Sequence, residues 1–373
     1  MDRRAFLQIP VTGAALAAAA DPPPRYRIVS KFDQRSEFGM PGLYPGSVVT
    51  VGTERSIDAE SGRVDADVVR EMIARGMTEL TGDSKAEDAW RRFIQPFDVV
   101  GIKVNCSGAP AVMSTPEIVA EVVRSLQSIG VPAGNIWIYE RFKDQMDSVG
   151  YHRFVPEGVH VHAVEVPTRS IRGYDPDTYV EVDFFGEEDT RSNLVRLVSE
   201  RFTKIVNIPN LKDHSASGVT GCLKNIAYGN FSNVARSHRN TKTYTRTFIG
   251  TLASVEPLRS KTVLHIIDGL RGVWHGGPFV RDKRFVFYPK RLLLGTDPAA
   301  VDVVLRDVIE EKRQAEGALS VWKATQASIN RDQKMQDPNR NLFIREPGHI
   351  EYAASLGLGI VDRARIRHKQ IAL

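Results

Sequence analysis

The sequence predicts an α/β fold in which helices cover both faces of a mostly parallel sheet. Predicted strands alternate with helices that carry one apolar face, which is the order of βαβ units. The strand predicted over 98–105 is apolar on both sides, as expected of a strand with helices above and below it. The 373 residues exceed what one hydrophobic core usually organises, so we expect two lobes, 25–260 and 261–373.

The individual elements follow from hydrophobic spacing and from end signals. Over 64–80, apolar residues recur at three- and four-residue intervals, which predicts a helix with one buried face. Pro209 ends a short apolar strand, and Asp297 followed by Pro298 opens the last long helix. The predicted order is strand 48–51, helix 64–80, strand 98–105, helix 114–130, strand 135–139, helix 190–202, strand 205–208, strand 262–267, strand 291–295, helix 298–312 and helix 349–356.

Residues 1–20 read as an export signal and not as part of the fold. Arg3 and Arg4 precede a Phe-Leu pair, and an alanine run ends at Ala20, which resembles a twin-arginine signal. A helix of the mature protein is the weaker alternative, because the alanine run has no helical period and three prolines follow it. We therefore expect a protein that is periplasmic or otherwise exported by the twin-arginine machinery.

Composition narrows the classes of partner. The formal net charge is +5, but basic residues are dispersed among nearly as many acidic ones, and no nucleic-acid motif is present. No apolar run approaches the roughly 20 residues of a membrane span. We therefore expect no nucleic-acid partner and no membrane span, while the basic balance suits a small anionic ligand.

The two cysteines, Cys106 and Cys222, limit the metal chemistry. They cannot supply the four thiolates of an iron–sulfur cluster or of a cysteine-ligated zinc site, so we expect no iron–sulfur cluster. An exported protein could oxidise the two thiols to a disulfide, and the sequence leaves that pairing open.

A first candidate ligand site lies after the strand 98–105. Ser114, Thr115, Pro116 and Glu117 have the spacing of a capping box that opens a helix. The N–H groups at that helix start would lie beside Lys103 and Asn105 and could hold an anion. The alternative is that Ser114 and Glu117 only cap the helix, and the sequence leaves both readings open.

The densest set of reactive groups lies in the stretch 205–240. Polar and small residues follow the strand that Pro209 ends, and small residues let a backbone approach a ligand closely. The alternative is a solvated glycine- and serine-rich connection with structural histidines. The functional interpretation is favoured because many reactive residues lie close together in a stretch that has few apolar residues to build a core. The candidate residues are Asn210, Lys212, His214, Gly218, Thr220, Gly221, Lys224, Asn225 and His238.

Asp268 and His275 follow the strand 262–267 and extend the same edge. The carboxyl ends of parallel strands form the ligand-binding edge of an open α/β sheet. We therefore expect Lys103, Asn105, Lys224 and Asp268 to converge there. A partly desolvated lysine titrates low enough to act as a base or nucleophile, and histidine is poised near neutral pH.

Four segments resemble the blocks of domain-of-unknown-function family 362, in the same order. They begin at Ser114, Pro209, Ile266 and Gly295, and they read STPEIVAEVVRSLQSIG, PNLKDHSASGVTGCLKN, IIDGLRGVWHGGP and GTDPAAVDVV. Many members of that family also carry a ferredoxin-like cluster domain, whose cysteines this chain lacks. The resemblance thus implies an α/β protein without a built-in iron–sulfur relay.

A more distant likeness is to the nickel-pincer lactate racemase family. That resemblance implies that Lys224 holds a pincer nucleotide, that His238 ligates a metal and that His214 serves as acid or base. Two departures weaken the implied racemase chemistry. The basic Arg-Pro-Thr-Pro element of that family is here Met113-Ser114-Thr115-Pro116, and the histidine expected after the third strand is replaced by Glu140-Arg141. The resemblance therefore implies a related fold with altered isomerase or oxidoreductase chemistry.

The sequence therefore favours an exported enzyme that acts on a small, hydroxy-acid-like anion or carries a nucleotide-type cofactor. The alternatives are a periplasmic ligand-binding protein without turnover and a redox protein with a divalent metal. The predicted catalytic residues are Lys224, His214 and His238. The predicted ligand-binding residues are Lys103, Asn105, Ser114, Thr115, Asn210, Lys212, Gly218, Thr220, Gly221, Asn225, Asp268 and His275.

Overall fold

The computed structural model describes residues 24–165, 171–238, 243–280, 282–323 and 345–373. The predicted export signal, 1–20, lies outside the described residues, and so do the last two residues of the stretch 205–240. The strands are β1 (Arg27–Val29), β2 (Ser47–Gly52), β3 (Val100–Lys103), β4 (Ile136–Phe142), β5 (His160–Glu165), β6 (Tyr174–Glu181), β7 (Arg191–Val195), β8 (Lys204–Asn207), β9 (Asn210–His214), β10 (Gly218–Val219), β11 (Thr262–Val273), β12 (Val286–Phe287), β13 (Arg291–Gly295) and β14 (Arg367–Ala372). The helices are α1 (Ala66–Thr81), α2 (Ala86–Arg91), α3 (Pro116–Ser128), α4 (Lys143–Val149), α5 (Arg196–Glu200), α6 (Gly221–Tyr228), α7 (Thr245–Ala253), α8 (Leu258–Lys261), α9 (Pro298–Ala315) and α10 (His349–Ser355).

A large mixed sheet forms the centre of the molecule, with the strand order β14-β2-β13-β11-β8-β3-β4-β5. Strands β11, β8, β3, β4 and β5 pair in parallel, whereas β13 is antiparallel to both of its neighbours. Strand β9 continues beyond β8 and pairs with the far end of β11. The predicted mostly parallel α/β sheet is confirmed.

Helices bury apolar residues against both faces of this sheet. Neighbouring residues of one strand enter opposite cores: in β8, Ile205 packs with α6, α7 and α9, whereas Val206 packs with α1 and α3. This alternation follows from the two-residue period of a strand. It explains why the central strands read as continuous apolar runs.

Local signals fix the ends of the long helices. Asp65 caps α1 by accepting hydrogen bonds from the backbone N–H groups of Asp67 and Val68, and Gly82 ends the helix with φ 82°. Asp297 caps α9 through the N–H of Ala300, as the sequence predicts. Such caps satisfy N–H groups that have no partner inside the helix.

The helix predicted over 190–202 is wrong in its first half. Residues Arg191–Val195 form β7, which pairs antiparallel with β6 in a separate small sheet with β1, and only Arg196–Glu200 is helical. Ser192 and Leu194 are buried while Arg191 is exposed, which is the two-residue alternation of a strand. The prediction failed because the apolar residues of a short strand followed directly by a short helix have the same spacing as those of one amphipathic helix.

The division into lobes at residue 260 stays a prediction. Strand β11, after that boundary, is hydrogen-bonded to β8, before it, so one sheet spans both predicted lobes. No helix in the described part of the chain is both long and apolar enough to cross a membrane.

Candidate active site

The central stretch is built of regular structure and is not the expected small-residue loop. Strand β8 leads through Pro209 into β9, which forms a short hairpin with β10 before α6 begins at Gly221. Every residue of α6 is buried, including its polar residues Lys224 and Asn225, which lie next to each other on the helix. Lys224 therefore projects from a core helix.

A carboxylate from α9 anchors the start of α6. Asp302 accepts hydrogen bonds from the N–H groups of Cys222, at 2.5 Å, and Leu223, at 2.9 Å. Gly221 has φ 60°, and a Cβ there would lie 2.3 Å from Asp302 Oδ1. The glycine is thus required by close packing and by its left-handed conformation. Burial raises the pKa of Asp302 to about 7.

Lys224 is the central group of the site. Its side chain is 8% exposed, and its Nζ lies 4.6 Å from the centre of the Tyr228 ring. Among the described residues, no carboxylate or hydrogen-bond acceptor pairs with this Nζ. Burial lowers the pKa of Lys224 to about 7, and the positive charges of Lys212 and Arg141 add to the effect.

His214 and His238 lie against each other beside Lys224, with ring centres 5.8 Å apart. His214 Nδ1 accepts hydrogen bonds from the N–H groups of Ala216 and Ser217, so the hydrogen-bond pattern places its proton on Nε2. His238 Nδ1 lies 2.7 Å from the carbonyl oxygen of Ala235, which can only accept, so this nitrogen carries the proton. Burial, followed by the charge of Lys224, lowers the pKa of His214 well below 6.5 and that of His238 to about 4.

His349 is a third imidazole of this cluster, and the sequence analysis missed it. It begins α10 and is 1% exposed. Neither ring nitrogen has a hydrogen-bond partner of good geometry in the described part of the chain, although the Ser217 backbone is close enough to act on its pKa. Burial, then Lys224, lowers that pKa to about 3. A single histidine before a short helix carries no sequence signal for such a position.

A buried polar chain joins the strand ends to α6. Lys212 Nζ donates to Asn105 Oδ1 at 2.7 Å and also to the Ser107 carbonyl. Asn105 in turn donates to Asn225 at 2.9 Å, and Asn225 donates to Asn207 at 2.7 Å. Three predicted site residues, Lys212, Asn105 and Asn225, are thus brought together, and Asn207 is a further member that the sequence analysis missed.

Lys212 is a second amine whose charge is disfavoured. Burial lowers its pKa to about 7, although the negative charge of Glu140 opposes that shift. Unlike Lys224, it donates hydrogen bonds to two protein acceptors, Asn105 and Ser107. It therefore serves to hold the polar chain in place and to add positive charge near Lys224.

Lys103 is engaged in a buried ion pair. Its Nζ donates to Glu140 Oε2 at 2.9 Å and to the Val104 carbonyl at 2.5 Å. A Cβ on Gly229 would lie 2.2 Å from Lys103 Cε, so the lysine stem packs directly under the end of α6. The Lys103–Glu140 ion pair thus packs against the C-terminal end of α6, the helix that carries Lys224.

The expected anion site at the start of α3 is occupied by the protein itself. Asp268 Oδ2 accepts a hydrogen bond from the N–H of Thr115 at 2.7 Å, and burial raises the pKa of Asp268. The predicted capping box is wrong, because Ser114 Oγ donates to the Ile208 carbonyl and the cap residue is Thr115, without a side-chain cap bond. Only the proline in the first turn, Pro116, agrees with the sequence prediction.

The remaining predicted residues are dispersed around this centre. His275 Nδ1 lies 3.0 Å from Arg313, whose guanidinium is 3.6 Å from buried Asp213, so His275 borders an internal ion pair. Asn210 is fully buried, and its side-chain amide has no partner among the described residues. Gly218, with φ 88°, is the first residue of β10 and pairs with His214 directly after the turn of the β9–β10 hairpin.

Two further predictions concern the cysteines and a metal site. Cys106 and Cys222 are both buried free thiols. Among the described residues, no group of three or more His, Cys, Asp or Glu side chains is arranged to hold a metal ion. His238 as a metal ligand stays a prediction, and so does the convergence of the predicted residues on one ligand.

Glu140→Gln should lower the free energy of unfolding by about 3–5 kcal/mol, because it leaves the buried Lys103 ammonium without its carboxylate. Urea unfolding measures the change. Glu200→Gln is the control, since Glu200 is in an exposed i,i+4 pair and should shift stability by less than about 1 kcal/mol. Equal effects of the two substitutions would contradict the role of the Lys103–Glu140 pair.

Comparisons with known proteins bear on the family and not on the activity. One solved structure, of a Thermotoga maritima protein determined by the Northeast Structural Genomics Consortium, shares 13% sequence identity at a TM-score of 0.40. The match covers 67% of this chain and 59% of that one, so this chain spans less than two thirds of its length. A search of curated proteins gave no match. The family model described as Domain of unknown function (DUF362) matches residues 100–307, and the chain therefore belongs to that family.

Proposed function

We propose that this protein is an exported enzyme that acts on a small anion of the hydroxy-acid type, with Lys224 as its reactive amine. One observation carries the proposal: a buried lysine, to which the described residues offer no hydrogen-bond acceptor, lies beside three imidazoles, His214, His238 and His349. A buried amine without a partner destabilises a fold, and such groups are concentrated at functional sites.

The charge of the surroundings favours an anionic substrate. Lys212 and Arg141 both act on Lys224 as positive charges. Arg141 is paired with Glu165, but the described residues offer Lys224 no carboxylate of its own. A bound carboxylate would supply the missing negative charge and would raise the pKa of Lys224 from its value of about 7.

Lys224, His214 and His238 have complementary proton-transfer roles. Because burial lowers its pKa to about 7, Lys224 can be an uncharged amine near neutral pH, and such an amine can accept a proton or attack a carbonyl carbon. His214, with its proton on Nε2, can donate a hydrogen bond to a substrate oxygen. His238, with its proton on Nδ1, has Nε2 as its basic nitrogen.

The residues fit a nucleotide-type or metal cofactor in part. The Lys224 amine would hold a pincer-type nucleotide, and His238 would be the metal ligand. When bound, such a group would supply an electron acceptor at the substrate carbon. The side chains of this chain would orient the substrate anion and move the protons.

The test is an assay of protein purified from its own host with D- and L-2-hydroxy acids, followed by chiral chromatography and mass spectrometry. Metal analysis and intact mass would reveal a bound cofactor. The proposal expects turnover or inversion that Lys224→Met abolishes and Lys143→Met leaves unchanged, since Lys143 is exposed on α4. Saturable binding without turnover would instead support a ligand-binding protein, and metal-dependent electron transfer would support a redox protein.

Export is a separate prediction. Because Arg3 and Arg4 are the signal's recognition pair, a double Arg→Lys substitution should leave the protein in the cytoplasm. N-terminal sequencing should show that the exported form begins near Asp21. Intact Met1 in the periplasmic fraction, or unchanged export of the double variant, would contradict this prediction.

A further inference from the structure

A cavity lies at the edge of the central sheet, where β5 is the last strand. Its volume is about 690 Å³, which falls within the range of about 300–1,000 Å³ that is usual for small-molecule sites. Its walls are β5, the turn at Arg172 and Gly173, and α5. Lys224, His214 and His238 are not among the lining residues, so a ligand bound here would not share the site described above.

The described wall of this cavity is basic. Three arginines line it, Arg172, Arg196 and Arg201, together with one carboxylate, Glu200. Burial lowers the pKa of His162, so this lining ring is neutral near pH 7. Three guanidinium groups and one carboxylate therefore give the lining side chains a net charge of +2. Such a charge attracts anions into a cleft.

Contacts between the walls fix the shape of the cavity. Arg196 donates hydrogen bonds to the carbonyl oxygens of Arg172 and Tyr174, each at 3.1 Å, and so connects α5 to the turn. A Cβ on Gly173 would lie 2.6 Å from the carbonyl oxygen of Val164, so the turn packs directly on β5. Because the walls are already held together, a ligand would not have to order them, and this favours binding.

Arg201 is the lining cation with the most donors to offer. It is exposed, and its guanidinium carbon lies 5.0 Å from the centre of the Trp137 ring. Among the described residues, no carboxylate or carbonyl oxygen pairs with this side chain. A guanidinium that lies over an aromatic ring keeps N–H groups at its edge, and their fork matches two oxygens of a phosphate group. Ala163, Val164 and Leu197 add an apolar strip to the same cavity.

We propose that this cavity is a binding site for a phosphate group, which Arg201 contacts through its guanidinium edge. A phosphate monoester carries a charge of about −1.5 to −2 near pH 7, which matches the charge of the lining side chains better than a single carboxylate does. The group can come from the inorganic ion or from a small organic phosphate. The cavity volume and the apolar strip favour the organic phosphate, whose carbon part would lie against that strip.

Isothermal titration calorimetry of the full chain with phenyl phosphate, inorganic phosphate and benzoate, at matched ionic strength, tests the site. The variants are Arg201→Gln, Arg201→Lys and the control Arg91→Gln, which removes an exposed arginine paired with Asp88 on α2. Thermal unfolding without ligand is recorded for each. We expect Arg201→Gln to weaken phenyl phosphate binding by about tenfold or more at an unchanged Tm. Arg201→Lys should weaken it less, because lysine keeps the charge and loses the fork. Arg91→Gln should bind like the parent.

The probes separate the sources of the phosphate group. Tighter binding of phenyl phosphate than of inorganic phosphate identifies an organic phosphate as the ligand class, and equal binding identifies the free ion. The proposal is overturned if neither phosphate probe binds saturably, if benzoate binds as tightly as phenyl phosphate, or if Arg201→Gln binds like the parent.

Two further variants keep the result unambiguous. Lys224→Met should leave phenyl phosphate binding unchanged, and loss of binding in that variant would assign the phosphate to the Lys224 site and overturn the proposal. If Arg201→Gln lowers the Tm, Arg172→Gln decides, because Arg172 lines the same cavity from an exposed turn. Weaker binding by Arg172→Gln then supports the site, and parent-like binding overturns it.

Discussion

Lys224→Met should abolish activity and at the same time stabilise the protein at neutral pH. Loss of a proton-transfer group or nucleophile lowers the rate by about two to four orders of magnitude. Methionine has a similar length and no charge, so it removes the cost of burying an ammonium that pairs with no carboxylate among the described residues. A shift of the pKa from 10.5 to about 7 corresponds to a stabilisation on the order of a few kcal/mol.

The pH dependence of this stabilisation has a definite sign. Between about pH 7 and 10.5, the unfolded chain holds a proton on Lys224 that the folded chain has released, so the parent gains stability as the pH rises. Below pH 7 the full cost is present. The difference in unfolding free energy between Lys224→Met and the parent should therefore be largest in the acid range and fade above about pH 10.

Urea unfolding of both proteins at several pH values measures this difference. Lys143→Met controls for the chemistry of the substitution, because Lys143 is exposed in an i,i+4 pair with Asp147. Destabilisation by Lys224→Met at pH 6, together with unchanged activity, would show that Lys224 is a structural residue.

Asp302→Ala should be strongly destabilising, by about as much as Glu140→Gln. It removes the acceptor for two buried N–H groups at the start of α6, each of which costs about 1–3 kcal/mol when left unpaired. It also leaves space where the carboxylate packs against Gly221. We expect a loss of about 3–5 kcal/mol in unfolding free energy.

Chemical denaturation measures the loss, and Asp307→Ala is the matched control on the same helix. Asp307 pairs with Arg363 at the surface and should contribute less than about 1 kcal/mol. Because α6 carries Lys224, any folded Asp302→Ala protein should also lose activity. Asp302→Ala with parent-like stability would show that α6 is positioned by other contacts.

Sequence reasoning locates elements whose signals are local. Strand β13 is predicted at its observed bounds, Arg291–Gly295, and α9 is predicted from its Asp297 cap. Helix α6 escapes detection because its eight residues are too few for a clear helical period and because Lys224 and Asn225 suggest a ligand-facing loop, although every residue of the helix is buried. The β7–α5 segment is misread because a short strand and a short helix share one apolar pattern.

The site shows the same division between local and long-range information. Lys224, His214 and His238 are identified because they fall within one reactive stretch. His349 is missed because its role depends on α10 packing next to residues more than a hundred positions earlier. The sequence predicts that Asp268 binds a ligand, whereas its carboxylate accepts a hydrogen bond from the N–H of Thr115 at the start of α3. Sequence alone cannot distinguish a carboxylate that binds a helix start from one that binds a ligand.

The titration of Lys224 is the most direct test of the account. Pulse labelling with acetic anhydride over a range of about pH 5 to 11 reports the fraction of neutral amine, and peptide mass spectrometry separates Lys224 from exposed lysines such as Lys143. The account predicts a midpoint near 7 for Lys224 in the folded protein. It also predicts that unfolding in urea restores an ordinary lysine value. A midpoint near 10.5 in the folded protein would contradict the central claim that Lys224 is a reactive amine.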